Sequence, residues 1–424
     1  MRVLLVPVGS HGDVHPFIGL GHAMRARGHR VTYLINEYFG PLIRGLGFEM
    51  VPLGEARLFA EAIRDPDLWD PRRGFAVVAR GVLEHARLAF PRIEALYVPG
   101  ETVAVGGSLA FAVRLAREKL GIPSATVHLQ PSILHSNYET PAYPGFETPR
   151  WWPTWFRRHF FDMIFARAVD PHIAPGLNAL RAELGLPPVR DVMRTWVHSP
   201  ELVLGFFPPW FASPQPDWPP RVRLVGFPLY DERDATPLPA DLDIFLNSGP
   251  PPIAFTPGSA NLHGRPFFEA AVDACARLGR RGLLLTRHPE GLPPELPEGM
   301  RHVPYAPFGL LLPRVAALVH HGGVGTAAQG MAAGIPQLVM PLGHDQYDNA
   351  ARMLRLGVAR SLLPGRFRGP AVAAALRNLI DRAEVADACR KVATRFAEDA
   401  RPMDRAAEAI ETLIEGAKVA VSRS

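Results

Sequence analysis

Short apolar runs alternate with longer amphipathic stretches along most of the chain, the pattern of parallel strands buried on both faces and joined by helices. Val3–Val8 reads as a first strand, followed by a glycine-bearing turn at Gly9–Gly12, a helix over Pro16–Arg27 and a strand over His29–Ile35. Pro16 suits the first turn of that helix and Gly28 the position just past its end. The alternation continues through the strand Thr102–Val105, the helix Leu109–Leu120 and the strand Ser124–His128. A second series starts after Pro250-Pro251-Pro252, with strand Ile253–Thr256, helix Pro266–Leu278 and strands Gly282–Thr286 and Arg301–Pro304. The apolar run Ala316–Val319, a helix over Thr326–Ala333, the strand Gln337–Met340 and the helix Gln346–Leu356 complete it.

Two βα series in a chain of 424 residues predict an α/β protein of two doubly wound, Rossmann-like domains. The expected division is an N-terminal domain over 1–230, a linker over 231–250, a C-terminal domain over 251–400 and a helix and tail over 401–424 that crosses back. Leu229–Gly249, with its charged run and prolines, is the expected hinge. Folds of this kind bind ligands at the carboxyl ends of their strands, so a cleft between two such edges is expected. No tandem repeat interrupts the pattern.

Composition adds limits. Apolar residues make up 47% and charged residues 21%, which places the chain among globular proteins. The 45 prolines cluster in connections such as Pro214–Pro220, which predicts stiff, ordered loops. A net charge of +5 is scattered, so no nucleic-acid partner is expected, whereas anionic metabolites or peripheral contact with a membrane surface fit it. Cys275 and Cys389 lack metal-ligand spacing and are expected as buried free thiols in the cytoplasm. The N-terminal apolar run stops at Pro7 and Gly9, too early for a secretory signal, and no stretch is long enough to span a bilayer.

Chemistry concentrates at Val319-His320-His321-Gly322-Gly323-Val324-Gly325-Thr326, where a buried strand ends in imidazole and glycine and a helix opens. Backbone N–H groups there can approach an anion, the helix N-terminus adds partial positive charge, and a histidine can donate to the same ligand. An ordinary strand-to-helix turn with a buried histidine explains the same letters.

Four motifs in order and spacing carry a resemblance over nearly the whole chain: Gly9-Ser10-His11-Gly12-Asp13-Val14-His15-Pro16, Gly28-His29-Arg30-Val31-Thr32, His320–Thr326, and Pro341-Leu342-Gly343-His344-Asp345-Gln346-Tyr347-Asp348-Asn349-Ala350. Together they resemble the GT-B glycosyltransferases of family 1. Asp65–Pro71, Trp210–Pro219 and Gly226–Leu229 are similar to the bacterial rhamnolipid rhamnosyltransferases within that family. The resemblance implies transfer of a sugar from a nucleotide diphosphate donor, dTDP-L-rhamnose or a UDP- or dTDP-hexose. The implied acceptor is an apolar or lipid-like alcohol such as a 3-hydroxyalkanoyl compound. Inversion at the anomeric carbon, with no metal and no other cofactor, is part of that expectation.

Residue by residue, the resemblance makes Asp13 the base that takes the acceptor's proton; a helix N-cap is the other reading of the same aspartate. His15 then lines the acceptor site, and His11 lies on the loop or touches the donor phosphate. His321, Gly323, Gly325 and Thr326 match the diphosphate contacts, as do Gly258 and Ser259, although Ser259 also reads as a plain turn serine. Donors aimed at a leaving diphosphate stabilise the transition state more than the ground state. Tyr305 matches the residue that stacks on the nucleobase, with a backbone contact at Ala306 beside it. Asp345 and Gln346 match the pair that binds the sugar hydroxyls, though Asp345 equally suits a helix cap. Phe308 and Gln329 depart from the plant members, which carry a polar residue and a ribose-binding acid there, and this weakens the case for UDP. The aromatic and cationic run from Trp151 and Trp152 to Phe161 suits an apolar acceptor groove, a membrane interface, or a core with its rim.

Two other functions stay in view. An NAD-type oxidoreductase or epimerase is disfavoured because Gly9–Gly12 lacks G-x-G-x-x-G. A transferase of small natural products using UDP-glucose shares every motif, and a non-catalytic partner that only binds nucleotide sugar would not need Asp13 and Asp345-Gln346.

Overall fold

The computed structural model describes the chain except residues 70–72, 150, 234–235, 259–263, 400 and 423–424. It divides into two compact units, Met1–Pro228 with Arg401–Ser424, and Leu229–Ala400.

In the first unit β1 (Arg2–Val6), β2 (Arg30–Ile35), β3 (Glu49–Pro52), β4 (Thr102–Gly107), β5 (Ser124–His128), β6 (Leu202–Gly205) and β7 (Val222–Leu224) form one parallel sheet. Its order is β3-β2-β1-β4-β5-β6-β7, so the winding reverses between β1 and β4, where Val6 pairs with Gly106. Val3 to Val6 are fully buried. The helix Gly74–Leu96 covers one face with Ala79, Val82, Ala86, Ala89 and Ile93, spaced by three or four residues along a single stripe. Each large apolar side chain buried this way contributes about 1.5–3 kcal/mol, which is what selects this face over its polar opposite.

The second unit repeats the plan. Here β8 (Ile253–Thr256), β9 (Gly282–Leu285), β10 (Met300–Val303), β11 (Ala317–His320), β12 (Gln337–Val339) and β13 (Ala359–Ser361) run parallel in the order β10-β9-β8-β11-β12-β13. The reversal falls between β8 and β11, with Thr256 opposite His320. Both sheets therefore place a ligand-binding edge beyond the strands where the motifs end.

Two elements differ from the sequence reading. The first helix spans His11–Ala26, so Pro16 lies inside it and not in its first turn. Ser10 and Asp13 start the helix early by closing a capping box, and the carbonyl that Pro16 leaves without an N–H partner belongs to exposed Gly12, which water can reach. Residues expected as linker are built into the second unit. The helix Ala240–Asn247 buries Leu242 and Leu246 in its core, and Asp231 accepts from the Gly309 amide and from Arg233. The helix Pro402–Ser422 packs on the first unit, burying Ala406, Ala407, Ile410 and Ile414. Glu411 accepts a two-pronged contact from Arg27, 3.0 and 2.7 Å, and faces His29 at 3.0 Å, which holds its carboxyl down at about 2.

Candidate active site

The second unit brings two glycine turns and a histidine together at one edge of its sheet. Beyond β8 the chain turns at Pro257-Gly258, and beyond β11 it turns at His321-Gly322-Gly323 before the helix Val324–Ala332. Gly258 and Gly322 adopt φ of +95° and +97°, a region that favours glycine. Their lack of a side chain is also spatial. A Cβ on Gly258 would stand 2.6 Å from Cε1 of His321, and one on Gly323 would stand 2.5 Å from its Nε2. The His321 ring is thus enclosed between two glycine backbones.

Burial pushes His321 down to about 4 and His320 to about 3, so both are neutral at pH 7 and each carries one ring N–H. The Gly322 amide donates to Nδ1 of His320 at 3.1 Å, which fixes that ring, while the buried Nδ1 of His321 has no protein partner. The first helical bond runs from the Ala327 amide to the Gly323 carbonyl, so the amides of Val324, Gly325 and Thr326 have no acceptor within the helix. Three backbone donors, a helix N-terminus and one imidazole therefore meet at the point where the sheet order reverses.

A neighbouring turn is tied to the same edge. Asn349 donates to the Gly322 carbonyl at 3.0 Å and to Oδ2 of Asp345 at 2.6 Å. Sequence reasoning gave Asn349 no role; its spacing of four from Asp345 on a helix was the available signal. Asp345 occupies the N-cap of the helix Gln346–Arg355, but its side chain makes no cap bond there, and burial raises its pKa. Gln346 is committed to structure. Its Oε1 accepts from the amides of Leu342 and Gly343 at 2.7 and 3.2 Å, so any sugar contact must come from its amide nitrogen.

Two expected donor contacts also have protein partners. Tyr305 donates to the Asp231 carbonyl at 2.9 Å, and the Arg287 guanidinium lies 4.7 Å over its ring, leaving one face for a base. The Gln329 amide donates to the Leu229 carbonyl at 3.2 Å. The Ala306 side chain is buried in the core. Ser259 lies outside the described residues. Gly325 is exposed and Thr326 is half-buried on the first turn of the helix Val324–Ala332.

In the first unit Asp13 is the third residue of its helix and not the N-cap, which is Ser10. Its Oδ2 accepts from the Ser10 amide at 2.7 Å, so the structural role is real and coexists with any chemical one. His11 and His15 stack edge to face at 5.9 Å, and His11 also meets Phe39 at 5.1 Å. Trp152 sits against Phe156 and Phe160 at 4.7 and 5.2 Å, whereas Trp151 and Trp155 are 81% and 71% exposed. Among the described residues no helix is long and apolar enough to cross a membrane.

Residues 284–415 match the family model described as erythromycin biosynthesis protein CIII-like, C-terminal domain. The chain is 31% identical over 433 residues to O-mycaminosyltylonolide 6-deoxyallosyltransferase of Streptomyces fradiae, covering 97% of both chains. Among solved structures it is similar to the glycotransferase of kitacinnamycin, with a TM-score of 0.74 at 24% identity and coverage of 97% and 99%. It also superposes on a spinosyn rhamnosyltransferase complexed with thymidine diphosphate, with a TM-score of 0.70 at 19% identity and coverage of 97% and 100%.

Proposed function

Because the chain belongs to the family 1 glycosyltransferases of GT-B fold, we propose that it moves a deoxysugar, L-rhamnose first among them, from a dTDP donor to the hydroxyl of an apolar 3-hydroxyalkanoyl acceptor, with inversion and without a metal. The observation that carries the donor half is His321 held between Gly258 and Gly323 beside a helix N-terminus. A diphosphate there meets backbone amides of Gly323 to Thr326 and one neutral imidazole N–H, and the charge gained as the glycosidic bond breaks strengthens these contacts. No unpaired cation has to be buried to do it.

Thymidine is favoured over uridine by Gln329, a neutral amide that stands in place of a ribose-binding acid and gives one of its two N–H hydrogens to the Leu229 carbonyl. A relative holding thymidine diphosphate supports the same preference. Asp345, with Asn349 behind it, takes a sugar hydroxyl. In the first unit Asp13 removes the acceptor proton, the alcohol oxygen attacks the anomeric carbon, and the diphosphate leaves with the bond's electron pair; His15, Trp151 and Trp152 line the acceptor's path. The match to a macrolide transferase favours a second acceptor class, polyketide alcohols, served by the same chemistry.

The test is turnover of dTDP-L-rhamnose with 3-hydroxydecanoate or a macrolide aglycone, read by mass spectrometry, with the product's anomeric configuration read by NMR. Retained configuration, or equal use of UDP- and dTDP-sugars, refutes the corresponding part.

A further inference from the structure

A second polar constellation stands at the carboxyl edge of the first sheet and plays no part in the chemistry above. Ser108 follows directly on β4; its Oγ lies 2.8 Å from Nδ1 of His128, the last residue of β5, and Nε2 of His128 lies 2.8 Å from Nδ1 of His198. His128 is fully buried and His198 is 7% exposed, with their rings edge to face at 4.9 Å. Both nitrogens of His128 are thus spent in one line of hydrogen bonds, whose member at the accessible edge is the half-buried Ser108.

The placement is specific. Val6 pairs with Gly106 at the last step of the β1–β4 register, and a Cβ on Gly107 would stand 3.9 Å from the Val8 amide nitrogen. This is the reversal point of the sheet, beside the turn that leads to Asp13. Burying two imidazoles is costly unless they are bonded, and a bonded line in a low-dielectric core holds its members in fixed positions.

The line has two proton orders. Ser108 either gives its proton to His128 or receives one from it while its own hydrogen faces the Val127 carbonyl at 3.4 Å. In the second order that hydrogen has only this long contact and can turn to an acceptor atom of a ligand. A proton does not settle on the rings at neutral pH, because burial pushes His198 down to about 4 and His128 lower than its ordinary value too. The line therefore positions an oxygen and does not act as a base.

We propose that Ser108, held by His128 and His198, is a specificity-determining contact that donates a hydrogen bond to the hydroxyl oxygen of the acceptor alcohol, whose own hydrogen is left to Asp13. This rests on the acceptor reading given above and names the group in this chain that recognises the hydroxyl apart from the base.

Calorimetry with dTDP present tests it, using 3-hydroxydecanoate and decanoate as the paired probes. The parent is expected to prefer the hydroxy acid by about 3- to 10-fold, the range of one neutral hydrogen bond. Ser108→Ala should lower that preference and Ser108→Thr restore it, with dTDP affinity unchanged in both and a lower melting temperature in Ser108→Ala alone, where Nδ1 of buried His128 loses its partner. The contact is overturned if Ser108→Ala keeps the preference, if the parent binds the two acids equally, or if it binds neither. A preference lowered as expected in a protein that turns over no dTDP-sugar sinks the transferase reading alone. Transfer by Ser108→Ala with the parent's acceptor KM sinks the contact alone.

Discussion

Gly258→Ala is the sharpest probe of the donor seat. The new methyl carbon would lie 2.6 Å from Cε1 of His321 and 2.8 Å from each ring nitrogen, where ordinary contact begins near 3.4 Å. The ring has little room to retreat, because Gly323 also bounds it closely enough that a Cβ there would sit 2.5 Å from Nε2. Alanine at a φ of +95° adds about 1–2 kcal/mol of backbone strain. Overpacking adds about 1–3 kcal/mol. The sum, about 2–5 kcal/mol, corresponds to a fall of about 5–15 °C in melting temperature for a unit of this size. If strain is relieved by turning His321 out of the seat, affinity for dTDP falls with it. The assay is differential scanning calorimetry paired with titration of dTDP. Gly325→Ala is the control, since a Cβ there meets nothing within 4 Å and its helix gains alanine's propensity, so its melting temperature should stay within about 2 °C of the parent. A Gly258→Ala protein that melts and binds dTDP like the parent would falsify the enclosure of His321 by glycine.

Asp13→Asn should cut turnover at least about a hundredfold while dTDP affinity stays at the parent's value, the signature of a lost general base; equal loss of donor affinity would make Asp13 structural only. Asp13→Ala should also lower stability by about 1 kcal/mol through the broken capping box, measured by urea unfolding. Tyr305→Phe removes the hydroxyl that donates to the Asp231 carbonyl but keeps the ring, so it should cost about 0.5–1.5 kcal/mol in unfolding with unchanged dTDP affinity; a loss of affinity would show that this hydroxyl, beyond the ring, orders the donor site. His198 and His321 sit near 4 when folded against an ordinary 6.5, and His320 near 3. The unfolded chain therefore binds protons first, so the stability these rings contribute is full above about pH 6.5 and falls as pH drops towards 4. His198 alone withdraws about 3 kcal/mol by pH 4. Melting temperature should be flat from pH 7 to 8 and decline below about 6.5; a protein equally stable at pH 4.5 and 7.5 contradicts the buried neutral histidines.

The strands that carry motifs were legible because they are apolar on both faces and end in glycine, and Ser124–His128 was read to the residue. Edge strands such as Glu49–Pro52 and Val222–Leu224 were not, since half-exposed edges alternate weakly and their pairing is set by distant partners. The glycine-rich turn between β11 and the helix Val324–Ala332 was legible from its letters. That Gly258 exists to admit the His321 ring was not, because the two are far apart in sequence and meet only through the pairing of β8 with β11. Gln346 and Tyr305 read as ligand contacts by position, yet their first partners are backbone groups of neighbouring turns, a competition that residue type alone does not decide.

The helix Pro402–Ser422 gives the first unit a discontinuous sequence. A nascent chain can complete the second unit, which is continuous, while the first still lacks the helix that buries Ile410 and pairs Glu411 with Arg27. Order of synthesis and order of folding are therefore not the same here. A fragment cut at residue 228 exposes the surface of the first helix, whereas a circular permutant that begins at Arg401 would join that helix to the unit it completes.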